Sequence, residues 1–449
     1  MNLWIKNPLA VFTDDSLDAT GGVVVREDRI FELVAGGSQP TGTVDRVFDA
    51  ASHVVLPGLI NTHHHFYQTL TRACPAALNK KLFPWLTSLY PIWAGLTEEM
   101  IHVATRLAAA ELLLSGCTTT SDHHYIFPQA APEALDIQVD AIRQIGIRAV
   151  LTRGSMSLGK DEGGLPPRNT IQDEDTILAD CERVIDRYHN PNTGAMLQIA
   201  LAPCSPFSVS EELMRATAVL ARQKQVRLHT HLAETRDEND FCLNQFGRRP
   251  VDYLEQVGWL QSDVWLAHGI HFTDEEIARL GRAGVGICHC PSSNMILGSG
   301  ICRCRELEQA GCPLGLGVDG SASNDGSNMI QEVRQALLLQ RLHYGSASIT
   351  HYDAFRWATT GSAQCLGRDD IGKIAPEMQA DLALFKLDEP RFSGAGAPLA
   401  ALLLCGAHRA DYVMVAGEWK VEQGKTVNLD LAELIAQHAE SAQRITSTL

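Results

Sequence analysis

Val54-Val55-Leu56-Pro57-Gly58-Leu59-Ile60-Asn61-Thr62-His63-His64-His65 decides how the rest of the chain is read. Val54 to Ile60 is an apolar run of strand length, so it is expected to form one buried strand. It ends in three histidines. Side chains two apart on a strand point to the same side, so His63 and His65 can reach one point while His64 faces away. Neutral imidazole is a common metal ligand, and two at the end of a buried strand make half of a metal site.

Seven more strand-like runs follow: Thr118–Asp122, Arg148–Thr152, Gln198–Ala202, Val226–His231, Val264–His268, Gly286–Cys288 and Leu314–Asp319. Helical runs lie between them. Glu98–Leu114 is one. Glu211–Gln223 is another, with Ser208 and Glu211 at capping-box spacing. A third, Asp274–Ala283, follows Thr273, with Glu276 placed to complete its cap. Eight strands alternating with helices over about 300 residues predict an α/β fold, a (β/α)8 TIM-like barrel. A doubly wound sheet would favour a glycine-rich phosphate loop after the first strand, where this chain has histidines.

The two ends of the chain are different. Leu3–Ile5, Val23–Arg26, Ile30–Val34 and Val47–Asp49 read as short strands with glycine turns, as do Leu382–Phe385, Tyr412–Val415 and Glu418–Val421. Neither segment can bury a core alone. The expected organisation is a small β-sandwich domain from residues 1–56 together with 372–449, and a catalytic barrel over 57–371.

Composition narrows the function. The 449 residues are 45% hydrophobic and carry a formal net charge of -16. An acidic surface repels phosphate backbones, so the expected partner is a small molecule rather than nucleic acid. No apolar run approaches a membrane span. The 12 cysteines are irregularly spaced in a chain too large to need disulfides, and the N-terminus lacks the design of a signal peptide. Reduced thiols and a cytoplasmic location are expected. Cys288-His289-Cys290 with Cys302 and Cys304 departs from the usual Cys-x2-Cys metal spacing and is read as buried thiols.

Barrel active sites lie at the C-terminal ends of the strands. There stand His63 and His65, Asp122-His123-His124-Tyr125, Ala202-Pro203-Cys204-Ser205, His229-Thr230-His231-Leu232-Ala233-Glu234, His268 and Asp319. Three histidines and a carboxylate suit Zn²⁺, with Fe²⁺ second, and such an ion lowers the pKa of a bound water to about 7. Glu234, three residues past His231, is the candidate proton donor. His268 is placed to orient or polarise the water.

These residues carry a resemblance. Pro57-Gly58-Leu59-Ile60-Asn61-Thr62-His63-His64-His65, His231 with Glu234, His268, Asp319-Gly320 and Ala380-Asp381-Leu382 resemble the amidohydrolase superfamily over essentially the whole chain. The resemblance implies His63, His65, His231 and Asp319 as metal ligands and Glu234, His268 and Asp319 as catalytic groups. Two-metal members carry a lysine on strand four; Gln198-Ile199-Ala200-Leu201-Ala202 has none, so one divalent ion per chain is expected. His231-Leu232-Ala233-Glu234-Thr235 and Pro291-Ser292-Ser293-Asn294 are similar to the branch that deaminates heterocycles. Leu82-Phe83-Pro84-Trp85-Leu86 and the runs from Thr119 to Tyr125 and Ala202 to Phe207 are similar to those of 8-oxoguanine deaminases. The implied reaction is hydrolysis of free 8-oxoguanine to uric acid and ammonia. A hydroxytriazine, guanine or pyrimidine aminohydrolase is the alternative, and a non-catalytic binding scaffold a reading of another class. The substrate-binding residues expected are Gln68, Trp85, His123, Arg153 and Cys204, with a homo-oligomer as the assembly.

Overall fold

A computed structural model describes residues 2–13 and 17–447. Residues 1, 14–16, 448 and 449, all within the segments assigned to the small domain, lie outside the described residues. Eight parallel strands close into a barrel in chain order: Leu59–Asn61 (β1), Cys117–His124 (β2), Arg148–Ser155 (β3), Leu197–Pro203 (β4), Leu228–Leu232 (β5), Val264–His268 (β6), Gly286–His289 (β7) and Leu314–Leu316 (β8). Helices cover the outside, giving the (β/α)8 architecture.

The opening run is not one strand. His53–Pro57 pairs antiparallel with Leu382–Lys386 in the small domain, while Leu59–Asn61 pairs with β2 in the barrel. Gly58 is the break. Its N–H donates to the Asp381 carbonyl, and a side chain there would overlap Thr118. Periodicity could not show this, because both halves are fully buried and apolar.

The ends of the chain meet as two sheets. Asn2–Lys6, Gly22–Arg26, Arg29–Val34 and Arg46–Asp49 form one; Ala10–Val11, His53–Pro57, Leu382–Lys386, Tyr412–Val415, Glu418–Glu422 and Lys425–Thr426 form the other. Leu3, Ile5, Val23 and Val25 from the first share one core with Val55, Leu382, Leu384 and Met414 from the second. Two helices of the 372–449 segment lie elsewhere. Leu431–Thr446 packs on Glu98–Leu114 beside the barrel, with His438 bonded to Thr69 (3.0 Å) and Arg444 paired with Glu99 (2.8 Å). Pro398–Leu404 packs on Met329–Tyr344. Only the short strands of this segment are expected from the sequence.

Helix starts follow local chemistry. Thr97 caps Glu98–Leu114 by accepting from Met100 N, and Thr273 with Glu276 forms a complete capping box for Asp274–Ala283. Glu211–Gln223 is capped by Ser210 accepting from Leu213 N (3.0 Å), not by Ser208, which bonds Ser205 within the preceding loop.

The barrel and the sheets are joined by a buried ion pair. At the start of β3, Arg148 Nε and Nη2 donate to the two Asp381 carboxylate oxygens (3.0 and 3.1 Å), and Nη1 donates to the Gly194 and Ala195 carbonyls. Asp381 Oδ1 also accepts from Ala416 N (2.7 Å). Both side chains are buried, so removing one partner leaves an uncompensated charge. Asp381→Ala should lower unfolding stability by about 3–5 kcal/mol, read as a lower denaturant midpoint; a midpoint unchanged from wild type would show that the pair does not hold the two parts together.

Candidate active site

Strands β1 and β8 continue past the barrel as a short parallel ladder that pairs Asp319 with His64 and Gly320 with His65. The Asn61 side chain ties the two, donating to Thr120 Oγ1 and accepting from Val318 N (2.9 Å). Asp319 N donates to the His63 carbonyl (3.0 Å). The ladder therefore places Asp319 beside the His-x-His pair although 256 residues separate Asp319 from His63. Asp319 Oδ1 lies 3.3 Å from His63 Nε2 and 3.4 Å from His65 Nε2.

Backbone groups settle which nitrogen of each histidine faces the centre. A carbonyl only accepts, so the imidazole nitrogen bonded to it carries the proton, and the other nitrogen of a neutral ring is bare. His65 Nδ1 donates to the His123 carbonyl (2.7 Å), and His231 Nδ1 to the Cys204 carbonyl (2.7 Å). Their Nε2 atoms are thus bare, and they lie 3.2 Å apart. His63 Nδ1 faces His229 Nε2 at 2.8 Å, and His229 Nδ1 donates to the Trp265 carbonyl (2.8 Å). His229 Nε2 must therefore accept, and His63 Nε2 is bare as well. Burial holds the pKa values of His63, His65 and His231 below the ordinary imidazole value and lowers that of His229 to about 3.

Three bare nitrogens and a carboxylate oxygen point at one another with no proton between them, and His63 Nε2 has no hydrogen-bond partner. Only a cation satisfies such a set, and buried lone pairs left unmatched are costly. The ligand atoms of His63, His65, His123 and His231 lie within 4.8 Å of one another, as do those of His63, His268 and Asp319. The centre is built to take a divalent metal.

His268 and Glu234 stand beside this centre. His268 ends β6 with φ +72° and Asp319 has φ +60°, left-handed values that non-glycine residues adopt at a cost. Burial opposes charge on His268, but Glu234 (3.5 Å) and Asp319 (3.9 Å) outweigh it and raise its pKa. Its Nδ1 is held by Asn294 Oδ1 (3.1 Å). Burial raises the Glu234 carboxyl to about 7. Burial would raise Asp319 too, but the charge favoured on His268 opposes it, and the carboxyl is held well below the usual carboxylate range.

A pocket opens above the centre, lined by Gln68, Trp85, Tyr90, Tyr125, Cys204, Phe207, Leu297 and Ser323 beside His65, His231, Glu234, His268 and Asp319. Gln68 accepts from Ala322 N (3.4 Å) and packs against Gly320, where a side chain would displace it. Trp85 donates its indole N–H to the Ala322 carbonyl (3.2 Å), which leaves its ring for the pocket. Burial pushes the Cys204 thiol up to about 12, so it stays protonated.

Two expected substrate contacts are placed elsewhere. The Arg153 guanidinium is committed to Asp180 (2.6 Å), Gln172 (2.9 Å) and the Gly154 carbonyl, and lies over the Phe127 ring. It is a structural ion pair behind the pocket wall. His123 lies beneath the metal centre, stacked on His231, with Nε2 donating to the Ala202 carbonyl (3.0 Å). It does not line the pocket. Conversely, Tyr90, Tyr125, Ser323 and Asn294 were not singled out by sequence reasoning. Asn294 belongs to a run whose resemblance was visible but whose contact with His268 needs the fold.

Cys288 and Cys290 fill the barrel interior with Ile60, Val150 and Ala200. His289, Cys302 and Cys304 bring three ligand atoms within 4.8 Å behind β7. Burial there pushes the Cys304 thiol well up, which keeps it in the poorly ligating protonated form.

The amidohydrolase family model matches residues 54–420. The chain belongs to the amidohydrolase family. It is 63% identical over 442 residues to the 8-oxoguanine deaminase of Pseudomonas aeruginosa, covering 98% of both chains. It is 39% identical to the hydroxydechloroatrazine ethylaminohydrolase of Pseudomonas sp. strain ADP, covering 76% of this chain and 71% of the relative. The atrazine chlorohydrolase of Arthrobacter aurescens TC1, solved with zinc, superposes with a TM-score of 0.92 at 33% identity, covering 98% of this chain and 100% of that one.

Strand β4 carries no lysine that could bridge a second ion. Metal analysis of the purified protein should therefore find one tightly bound ion per chain; two at full occupancy, both required for turnover, would contradict this.

Proposed function

We propose that this chain hydrolyses free 8-oxoguanine to uric acid and ammonia, with His63, His65, His231 and Asp319 holding one divalent ion, Zn²⁺ in preference to Fe²⁺. The observation that carries the reaction class is the placement of a protonatable carboxyl, Glu234, across from an ionised one, Asp319, at a centre of three imidazole lone pairs. The similarity to an 8-oxoguanine deaminase over nearly the full chain supports the substrate. Nitrogen and carboxylate donors in this number favour zinc.

The bound ion would supply Lewis acidity and lower the pKa of the attacking water. The chain's own groups do the rest. Asp319 Oδ1 is committed to Gly320 N (2.7 Å) and to the histidine centre. Oδ2 contacts only Ser323 Oγ (3.1 Å) and His268 (3.9 Å), so it is open to receive the water's proton. Against the opposing effect of burial, Glu234 and Asp319 raise the His268 pKa, so this ring can support negative charge on the attacking oxygen. Glu234, held by Ser299 Oγ (3.3 Å), donates its proton to the ring nitrogen next to C2. The water oxygen bonds to C2, the C2–NH2 bond breaks as the proton held by Asp319 leaves with ammonia, and the remaining hydroxyl proton on C2 passes to the ionised Glu234 as the C2 carbonyl forms, which restores the acid.

Selectivity follows from polar matching. Guanine has a bare N7 acceptor, whereas 8-oxoguanine has an N7–H donor beside a C8 carbonyl. A buried pocket fitted to one pattern leaves groups unpaired with the other. Gln68 offers both a donor and an acceptor, Cys204 a small protonated thiol, and Trp85 an apolar face for a flat ring.

We also propose a cytoplasmic homo-oligomer. All 12 cysteines are free, as a reducing compartment requires. No described helix is long and apolar enough to cross a membrane. Leu338, Leu342, Tyr352 and Leu404 are exposed on helices that pack together, which supports self-association.

Two tests follow from this chemistry. Glu234→Gln should lower kcat by about 10²-fold or more with the metal retained. In the wild type, kcat/KM should fall as pH rises through about 7, where Glu234 loses its proton, and the variant should lack that limb; a nearly unchanged rate would remove Glu234 from the role. Separately, kcat/KM for 8-oxoguanine should exceed that for guanine by at least about 10²-fold, with uric acid as product. Comparable rates on guanine, or preference for a hydroxytriazine with alkylamine release, would overturn the substrate assignment.

A further inference from the structure

His229 stands two residues before His231 on β5, so both side chains enter the barrel. It is fully buried, and the apolar and thiol side chains of Ile60, Val150, Ala200 and Cys288 also fill the interior. An imidazole buried there without partners would be destabilising, because its polar atoms would lose water and gain nothing. His229 is instead satisfied at both nitrogens, by the Trp265 carbonyl and by His63 Nδ1 (2.8 Å each). Its ring stacks on the Trp265 indole, with centroids 4.4 Å apart and planes 16° apart. That indole N–H donates to the carbonyl of Thr62 (3.0 Å), the residue before His63. The three contacts close a loop: Thr62 to Trp265, Trp265 to His229, and His229 to His63.

We propose that His229 is a positioning residue that sets the affinity of the centre for its metal by holding His63 in the one tautomer that can ligate. The inference rests on the metal-site reading above and deepens it. Neutral imidazole places its proton on either nitrogen at similar cost in water, so an isolated His63 would spend part of its time with the proton on Nε2, the atom that faces the centre. The bare Nε2 of His229 accepts only when His63 carries its proton on Nδ1. His65 and His231 obtain the same bias from the carbonyls of His123 and Cys204. At His63 no backbone carbonyl takes that place, and a side chain does. The Trp265 carbonyl completes the device, because it obliges His229 to keep its own proton on Nδ1. Groups bonded to the far nitrogen of a ligating histidine commonly change metal affinity by 10–100-fold.

The test compares two replacements in the full-length protein. His229→Phe keeps a ring against Trp265 and removes the acceptor. His229→Gln keeps an amide oxygen able to accept from His63 Nδ1. Zinc dissociation constants are measured by competition with a chromophoric chelator, and the visible spectrum of the Co²⁺-substituted protein reports ligand geometry. His229→Phe should bind zinc about 10–100-fold more weakly with an altered Co²⁺ spectrum, while His229→Gln should stay near wild type in both. Should His229→Phe not fold, His229→Asn, whose amide is too short to reach His63, takes its place. Wild-type affinity in the variant lacking the acceptor, or equal weakening in both, would overturn the proposal. A wild-type protein that binds no zinc would instead overturn the metal-site reading beneath it.

Discussion

Everything at this site depends on lone pairs that cannot be left facing one another. Three imidazole nitrogens and a carboxylate oxygen converge at a buried centre, and each nitrogen is kept bare by a hydrogen bond on the far side of its ring. The arrangement is unfavourable without a cation and favourable with one. The fold therefore stores a demand for metal, and the barrel strands are the rigid frame that prevents the histidines from relaxing away from it.

That frame explains several local costs. Ala233, His268 and Asp319 all adopt left-handed backbone conformations beside the centre. Each is over-determined by neighbours. Ala233 N and Glu234 N both donate to the buried Glu238 carboxylate (2.7 and 2.9 Å), and Asp319 is clamped by the ladder to His64. Asp122 plays a similar part behind His65, accepting from Phe66 N (2.6 Å), with Gln138 on its other oxygen (2.7 Å). Buried carboxylates thus do structural work around the centre.

The small domain reaches the same centre indirectly. Gly58 passes the chain from the outer sheet into β1, and its N–H is fixed by Asp381, the residue that also grips Arg148 at the start of β3. The Ala380-Asp381-Leu382 run, visible in the sequence only as part of a resemblance, is a joint between the terminal sheets and the first and third barrel strands. A displaced joint would shift β1, and with it the His-x-His pair.

Sequence alone determined the alternation of strands and helices, the barrel, the meeting of the two ends, and the identity of the residues at the strand ends. These are legible because period, apolar length and chain order are local properties, and histidine is recognisable as a metal-ligand type from its identity alone. The tertiary structure alone decided that Val54–Ile60 serves two sheets, that Ser210 rather than Ser208 caps its helix, and that the last helix lies on the barrel. It also turned Arg153 away from the pocket and put His123 beneath the metal centre. Strand alternation could have marked His229, since the rule that paired His63 with His65 pairs it with His231. What it could not supply was the partner. Which nitrogen of an imidazole carries the proton is set by the acceptor across the barrel, and that acceptor belongs to a residue far away in the chain that only closure of the sheet brings within 2.8 Å.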